Sequence, residues 1–529
     1  MLILHNARIT TLDPSRPAAS ALVIDGGRVV AAGGDELLDS FPFAQRQNMG
    51  GRFILPGLTD AHIHLQYYAL GLQKVDCETA TLDECLRRVA ERARATPPGE
   101  WVLGHGWNQN TWPDAPQNGF PSAADLDRIA PHNPVYLTAK SLHAGWANRA
   151  ALEAAGITAS TPDPKDGVLQ RGPSGQITGI LLESAMKLVG EAVPKPGVDE
   201  IAGAIAAAQP ILWQMGLTGV HDFDGRDCFA ALQLLHSQGG LKLRVTKSIP
   251  LELLPHAAAL GLRNGFGDDR LRIGSVKAFM DGALGPRTAA MLQPYEREAE
   301  NRGILNMDSE ELFEHGRLAA ESGLGMAVHA IGDRANHEVL EAFARLRRFE
   351  QERGLPARRH RIEHVQLLHP ADAHRLAELD VIASMQPIHA ISDMEMADRY
   401  WGGRAALAYA WRTQLDANAR LAFGSDAPVE SPNPFLGLRA ALTRRRADGA
   451  PGPEGWRGEQ RLSLAEALSG FTAGAAYAAG MEDRLGQLAP GFYADLIVLA
   501  KDLFTCHPDS LLEMRPAAVM IGGDWVWQS

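Results

Sequence analysis

Eight apolar runs, most of them separated by helical stretches, constrain this chain more than any other feature. They are FILPGLTDAHIHL, TGVHDFD, LRVTKSI, IGSVKAFMDG, GMAVHAIGD, RIEHVQ, VIASMQP and LAFGSDAP. Short, near-continuous apolar runs read as strands buried on both faces, the situation in a parallel sheet covered by helices. The segments between them, such as EELFEHGRLAAES and EVLEAFARLRRFEQE, carry the helical period. Eight such βα units are what a closed (β/α)8 barrel, the TIM-barrel architecture of the α/β class, requires. Its active site is expected at the C-terminal ends of the strands.

The two ends of the chain read differently. LILHNARITTL and ALVIDGGRVVAAG, with a turn at Asp25-Gly26-Gly27, are short β patterns, as are ADLIVLAKDL and AAVMIGGDWVWQS with a turn at Gly522-Gly523-Asp524. Both ends are expected to build one small β-sandwich domain, residues 1–53 and 481–529, beside a barrel over 54–480. Roughly 150 residues separate the first two barrel strands, several times what one crossover helix needs. An inserted subdomain, about 77–190 and rich in Trp and Gly, is therefore expected over the first strand's C-terminal end.

Charge and cysteines narrow the function. A net charge of −12 offers no basic face for nucleic acid, and the runs Arg444-Arg445-Arg446 and Arg358-Arg359-His360-Arg361 read as solvated helix ends. Cys77, Cys85, Cys228 and Cys506 show no CxxC spacing, which suits a reducing compartment. MLILHNARITTLDP reads as a strand, not a signal peptide, and no apolar stretch reaches membrane-span length. A cytoplasmic enzyme with a small-molecule substrate is the expectation, with a homo-oligomer left open.

The chemistry starts at His62 and His64. One residue apart on a strand, they point to the same side and can chelate one metal ion at a barrel mouth. Alone, an HxH is a weak signal. Later strands end in His329, His364 and Asp426, and the fourth carries Lys277, so ligand-type residues recur on strand ends of one barrel. Imidazole and carboxylate donors suit zinc, with iron, manganese or nickel as alternatives. Such a site performs metal-assisted hydrolysis, by acidifying a water and polarising a carbonyl, with Asp426 as the general base. There is no G-x-S-x-G elbow, Rossmann fingerprint or Walker A loop to support another mechanism.

These motifs resemble the amidohydrolase superfamily, and within it the YtcJ-like branch, amidohydrolase family 3. The resemblance rests on FILPGLTDAHIHL, VKAFMDGALGPRTAAM, VHAIGDRAN, RIEHVQ, SMQPIH, GSDAPVESPNPF and TAGAAYAAGMEDRLGQLAPGFYADLIVL, with GHGWNQNTWPDAP and LHAGWANRAAL similar to the branch's insertion. It implies metal ligation by His62, His64, His329, His364 and Asp426. It also implies one or two divalent ions, with Lys277 carboxylated and bridging where there are two. The other reading of Lys277 is a plain cation that pairs with Asp281 or binds a substrate carboxylate. The branch includes enzymes acting on N-substituted formamides. Hydrolysis of a non-peptide amide is thus the implied activity, with an ester, lactone or cyclic amide as alternative and a non-catalytic barrel as the rival class. Softer candidates for the substrate pocket are Trp107, His143, His221, Gln386 and His389. Asp222, Trp146 and Arg287 are open between site and packing roles. The amphipathic stretch ISDMEMADRYWGGRAALAYAW is expected to be a lid or a subunit contact.

Overall fold

In a computed structural model that describes residues 1–529 apart from 110, 111, 117, 118, 141, 142 and 166, all eight runs form strands of one parallel sheet. The strands are β1 (Leu58–Ile63), β2 (Leu217–Asp222), β3 (Arg244–Pro250), β4 (Leu271–Phe279), β5 (Met326–Ala330), β6 (Arg361–His364), β7 (Ile382–Met385) and β8 (Leu421–Phe423). Neighbours in the sheet follow chain order from β1 to β8. The ends meet through a parallel bridge between Ile63 and Ala427, which makes this a closed TIM barrel. Helices cover it by their apolar stripes. In Asp333–Glu352, for example, Ala335, Val339, Phe343 and Leu346 share the buried face.

FILPGLTDAHIHL is two strands, not one. Phe53–Pro56 belongs to a sheet of the small domain, and the chain turns at Gly57 to start β1. A side chain at Gly57 would lie 2.3 Å from the methyl of Thr218, so only glycine fits this corner. The small domain packs a four-stranded sheet on a six-stranded one. Leu4, Leu22 and Ile24 of the first meet Ile54, Leu496, Val498 and Met520 of the second in one core. Both expected glycine turns are hairpin turns, with φ of 54° and 78° at Gly26 and Gly27, and 60° and 83° at Gly522 and Gly523. Phe53–Pro56 pairs with Leu496–Leu499, so the two chain ends share one sheet. Arg244 of β3 ties this domain to the barrel through a buried ion pair with Asp495.

The insertion forms a second compact unit over Ala69–Glu200, built on a six-stranded sheet with its own core around Trp107, Trp112 and Trp146. Within the motifs GHGWNQNTWPDAP and LHAGWANRAAL, residues 110, 111 and 142 lie outside the described ones. Among the described residues no helix is long and apolar enough to cross a membrane.

Candidate metal centre

The site is built on the seam where β1 meets β8. Asp426 N–H donates to the carbonyl of His62 at 2.7 Å, and His64 N–H to that of Ala427 at 2.8 Å. Asp60 staples the seam from within, accepting the amides of His62 and Ser425 at 3.0 Å each and the Ser425 hydroxyl. Burial pushes its carboxyl up to about 7 against these hydrogen bonds.

Strand alternation accounts for His62 and His64 but not for β6. Glu363 and His364 are adjacent, so a regular strand would face them oppositely. His364 instead takes φ of 78° and Val365 46°, and the ring swings to within 4.9 Å of His62, centroid to centroid. Asp426 also holds a left-handed φ, 61°. Such backbone is costly for residues other than glycine and concentrates at functional sites.

Each imidazole has one nitrogen engaged, which sets its tautomer. Nδ1 of His62 meets Glu363 at 2.6 Å, Nδ1 of His64 meets Asp224 at 2.9 Å, and Nδ1 of His364 meets the Gln386 amide oxygen at 2.8 Å. For His62 and His364 these partners leave the Nε2 lone pair to the cavity. His329 is turned the other way, with Nε2 on the Gly282 carbonyl at 2.9 Å and Nδ1 left over. Asp426 Oδ1 stands 3.4 Å from Nε2 of both His62 and His64. Donor atoms of His62, His364 and Asp426 all lie within 4.8 Å of one another.

Electrostatics prepares these groups as ligands. Burial drives His62 down to about 4 and His329 down to about 3, and holds His364 well below the usual imidazole range. For Asp426, burial is outweighed by the surrounding imidazoles, which keep the carboxyl well below its usual range. His64 differs: burial lowers it, but Asp224 and Asp426 prevail and push it up to about 9. His62 Nε2 is buried and lacks any hydrogen-bond partner among the described residues. A buried acceptor is rarely left so, and it points at a nearby carboxylate that cannot donate. Imidazole and carboxylate donors around such a vertex fit a divalent ion.

Lys277 is buried, with Nζ 4.6 Å from the Phe223 ring centre and 4.8 Å from that of Phe279. Burial brings its ammonium down to about 8. The alternative pairing of Lys277 with Asp281 does not form, because Asp281 accepts the backbone amides of Ala290, Ile331 and Gly332.

A cavity of about 400 Å³ opens over these residues, lined also by Leu284, Ile331, Gln366, His389, Met396 and Val429. His389 thus faces the cavity, with Nε2 3.9 Å from Asp426. Gln386 does not line it and serves to orient His364. His221 sits deeper in the barrel, where Nδ1 accepts from Arg361 at 3.0 Å, and is linked to the site through the chain His221–Arg361–Glu363–His62. Asp222 is paired with Lys247 at 2.9 Å. Trp107 is a correction: its ring is wholly buried among Trp112, Phe120 and Trp146, with its N–H on the Leu137 carbonyl. Trp146 shares that core, and His143 is an exposed partner of Glu183 on the same unit. Arg287 pairs with Glu298 at 2.7 Å, a structural ion pair. The stretch after β7, expected as a lid or a subunit contact, begins with a long helix. That helix, Pro387–Trp401, is a wall of the cavity. Glu363 and Asp224 were not anticipated, although they lie in the same RIEHVQ and HDFD motifs as the chosen histidines, and Arg361, expected on a solvated helix end, is buried on β6 against Glu363.

The sequence model of the amidohydrolase family matches residues 45–527. The chain belongs to that family. Among its relatives, Protein LONG AFTER FAR-RED 3 of Arabidopsis thaliana is 34% identical, over 94% of this chain and 87% of its own. The putative amidohydrolase YtcJ of Bacillus subtilis is 31% identical over 99% of both chains. An N-substituted formamide deformylase of Arthrobacter pascens is 28% identical over 99% and 97%. A solved structure of an uncharacterized metal-dependent hydrolase from Pyrococcus furiosus superposes with a TM-score of 0.78, at 30% identity, over 95% of this chain and 100% of that one. This amidohydrolase is therefore a hydrolase of a metal-dependent family.

Proposed function

We propose that this amidohydrolase cleaves the carbon–nitrogen bond of a non-peptide amide, with Asp426 as the general base. One observation carries the reading. A buried carboxylate, held ionised, stands 3.4 Å from the cavity-facing nitrogens of His62 and His64. His62, His64, His329, His364 and Asp426 would hold the metal, zinc by the character of the donors, and Lys277 would hold a second ion after carboxylation. When bound, the ion supplies Lewis acidity at the substrate carbonyl and lowers the pKa of water.

The chain's own residues do the rest. Asp426 takes a proton from the water that attacks the carbonyl carbon, and delivers it to the nitrogen as the C–N bond breaks. Glu363, Asp224 and Gln386 hold the imidazoles in the tautomers this requires. His389 faces the same space and is placed to donate to the substrate. Apolar Leu284, Ile331, Met396 and Val429 offer contact to a hydrocarbon substituent. The N-substituted formamide deformylase among the relatives supports an amide of that kind.

The test is turnover of N-substituted formamides, acyl amides and esters, with metal content measured in parallel. Amides are expected to be the substrates, and activity to be lost on chelation. Asp426→Asn should cost at least about 10²–10⁴-fold, the usual worth of a general base. Full activity in Asp426→Asn or in metal-stripped protein would overturn the mechanism. A mass lacking any carboxyl adduct on Lys277 under native conditions, with density ending at Nζ, would remove the second-ion role.

A further inference from the structure

One wall of the cavity carries acceptors that are only partly satisfied among the described residues. His389, Asp393 and Met396 follow at spacings of four and three on the helix Pro387–Trp401, so they share the face that lines the cavity. Glu430, on the loop after β8, lines it beside them. Ser392, next to Asp393 in sequence, donates its hydroxyl to Glu430. One oxygen of Asp393 accepts the Tyr409 hydroxyl at 2.5 Å. Among the described residues neither carboxylate has a lysine or arginine partner, and the cavity's one such side chain, Lys277, lies among the candidate metal ligands. A third acceptor adds an independent sign. Gln366 is 4% exposed and lines the cavity, its Nε2 lies 3.4 Å from Nδ1 of His389, and its Oε1 has no partner.

Carboxylates that accept only a hydroxyl and, for Asp393, have a nearby imidazole leave acceptor capacity unused, and a buried amide oxygen is expensive to leave unpaired. An N–H-rich cation relieves both. We infer that the substrate is a cationic amide: an amide whose hydrocarbon arm runs along Leu284, Ile331, Met396 and Val429 and ends in a protonated amine held by Asp393 and Glu430, with Gln366 taking an N–H. This rests on the amide-hydrolase reading above and names the class of amide.

The experiment compares kcat/KM for N-(5-aminopentyl)formamide and N-hexylformamide, which differ by an ammonium in place of a methyl. The wild-type chain prefers the first by about 10- to 100-fold, the worth of a hydrogen-bonded charge pair, and salt erodes the preference. In Asp393→Asn/Glu430→Gln the ratio falls towards one. Asparagine keeps an acceptor for Tyr409, and Glu430→Gln alone, at a more open position, gives a smaller fall if the double variant does not fold. Calorimetry with pentane-1,5-diamine against pentan-1-ol separates the two readings. If neither formamide is turned over, the amide reading has failed, while tighter binding of the diamine, lost in the double variant, still upholds the acidic wall. Equal kcat/KM for the two formamides, a ratio unchanged in the variants, or a diamine bound no better than the alcohol would each overturn the inference.

Discussion

Glu363→Gln separates the scaffold of the metal centre from its ligands. Glu363 is wholly buried between His62 and Arg361, and one of its oxygens accepts from His62 Nδ1 at 2.6 Å and from Arg361 Nη2 at 3.0 Å. Glutamine keeps the volume but turns one oxygen into an NH2 donor. If the remaining oxygen faces His62, the NH2 confronts the Arg361 guanidinium. If the NH2 faces His62, the imidazole must accept at Nδ1, and its proton moves to Nε2, where the lone pair was needed. Either way one charge-assisted hydrogen bond is lost, worth about 1.5–3 kcal/mol. At about 1.4 kcal/mol per factor of ten, that is roughly 10- to 100-fold in metal affinity, in the range seen for removing the carboxylate behind a metal-bound histidine. Affinity is read by competition with a chromophoric chelator, beside melting curves with and without metal. An affinity within about twofold of wild type, in a folded variant, would refute this role for Glu363. Glu363→Ala is the wrong tool, since it strands a buried Arg361 and costs about 3–5 kcal/mol of stability on its own.

Two further predictions concern stability. Gly57→Ala places a methyl 2.3 Å from Thr218 at the corner between the small domain and β1, and should destabilise by about 1–3 kcal/mol, visible in a denaturant melt. An unchanged midpoint would show that the corner yields freely. His360 is buried, with Nδ1 accepting Met326 N–H at 3.1 Å and Nε2 3.1 Å from Glu350, and burial holds its pKa below the ordinary 6.5. Between its folded value and 6.5 the unfolded chain binds a proton that the folded chain does not, so stability rises with pH in that window and falls on acidification. His360→Asn, which keeps an acceptor for Met326, should flatten the acid limb of melting temperature against pH; an equally steep limb would assign it to other groups.

The barrel was legible because β1 to β8 are buried on both sides, and their apolar runs mark them before any fold is known. His62 and His64 followed from alternation alone. Legibility ends where the backbone departs from regular geometry. No periodicity foretells that His364 takes φ of 78° and joins Glu363 on the inner side, so the carboxylate beside a chosen histidine was passed over. Gly57 bends what reads as one apolar run into strands of two different sheets. Trp107 was misplaced because composition cannot tell a pocket wall from a core; both want large rings, and only packing shows this one enclosed. Asp281 looked like a partner for Lys277 four residues away, yet three backbone amides claim it first.

The staple from Asp60 to Ser425 has a consequence for the making of the protein. The first two candidate ligands are translated some 360 residues before Asp426, with the whole Ala69–Glu200 unit emerging between them. A nascent chain that has not yet delivered β8 holds the HxH pair without Asp426 opposite it and without the seam that fixes it. Phe53–Pro56 must likewise wait for Leu496–Leu499 before its edge is covered. The seam that brings His62 and Asp426 together therefore closes only when nearly the whole chain has been made.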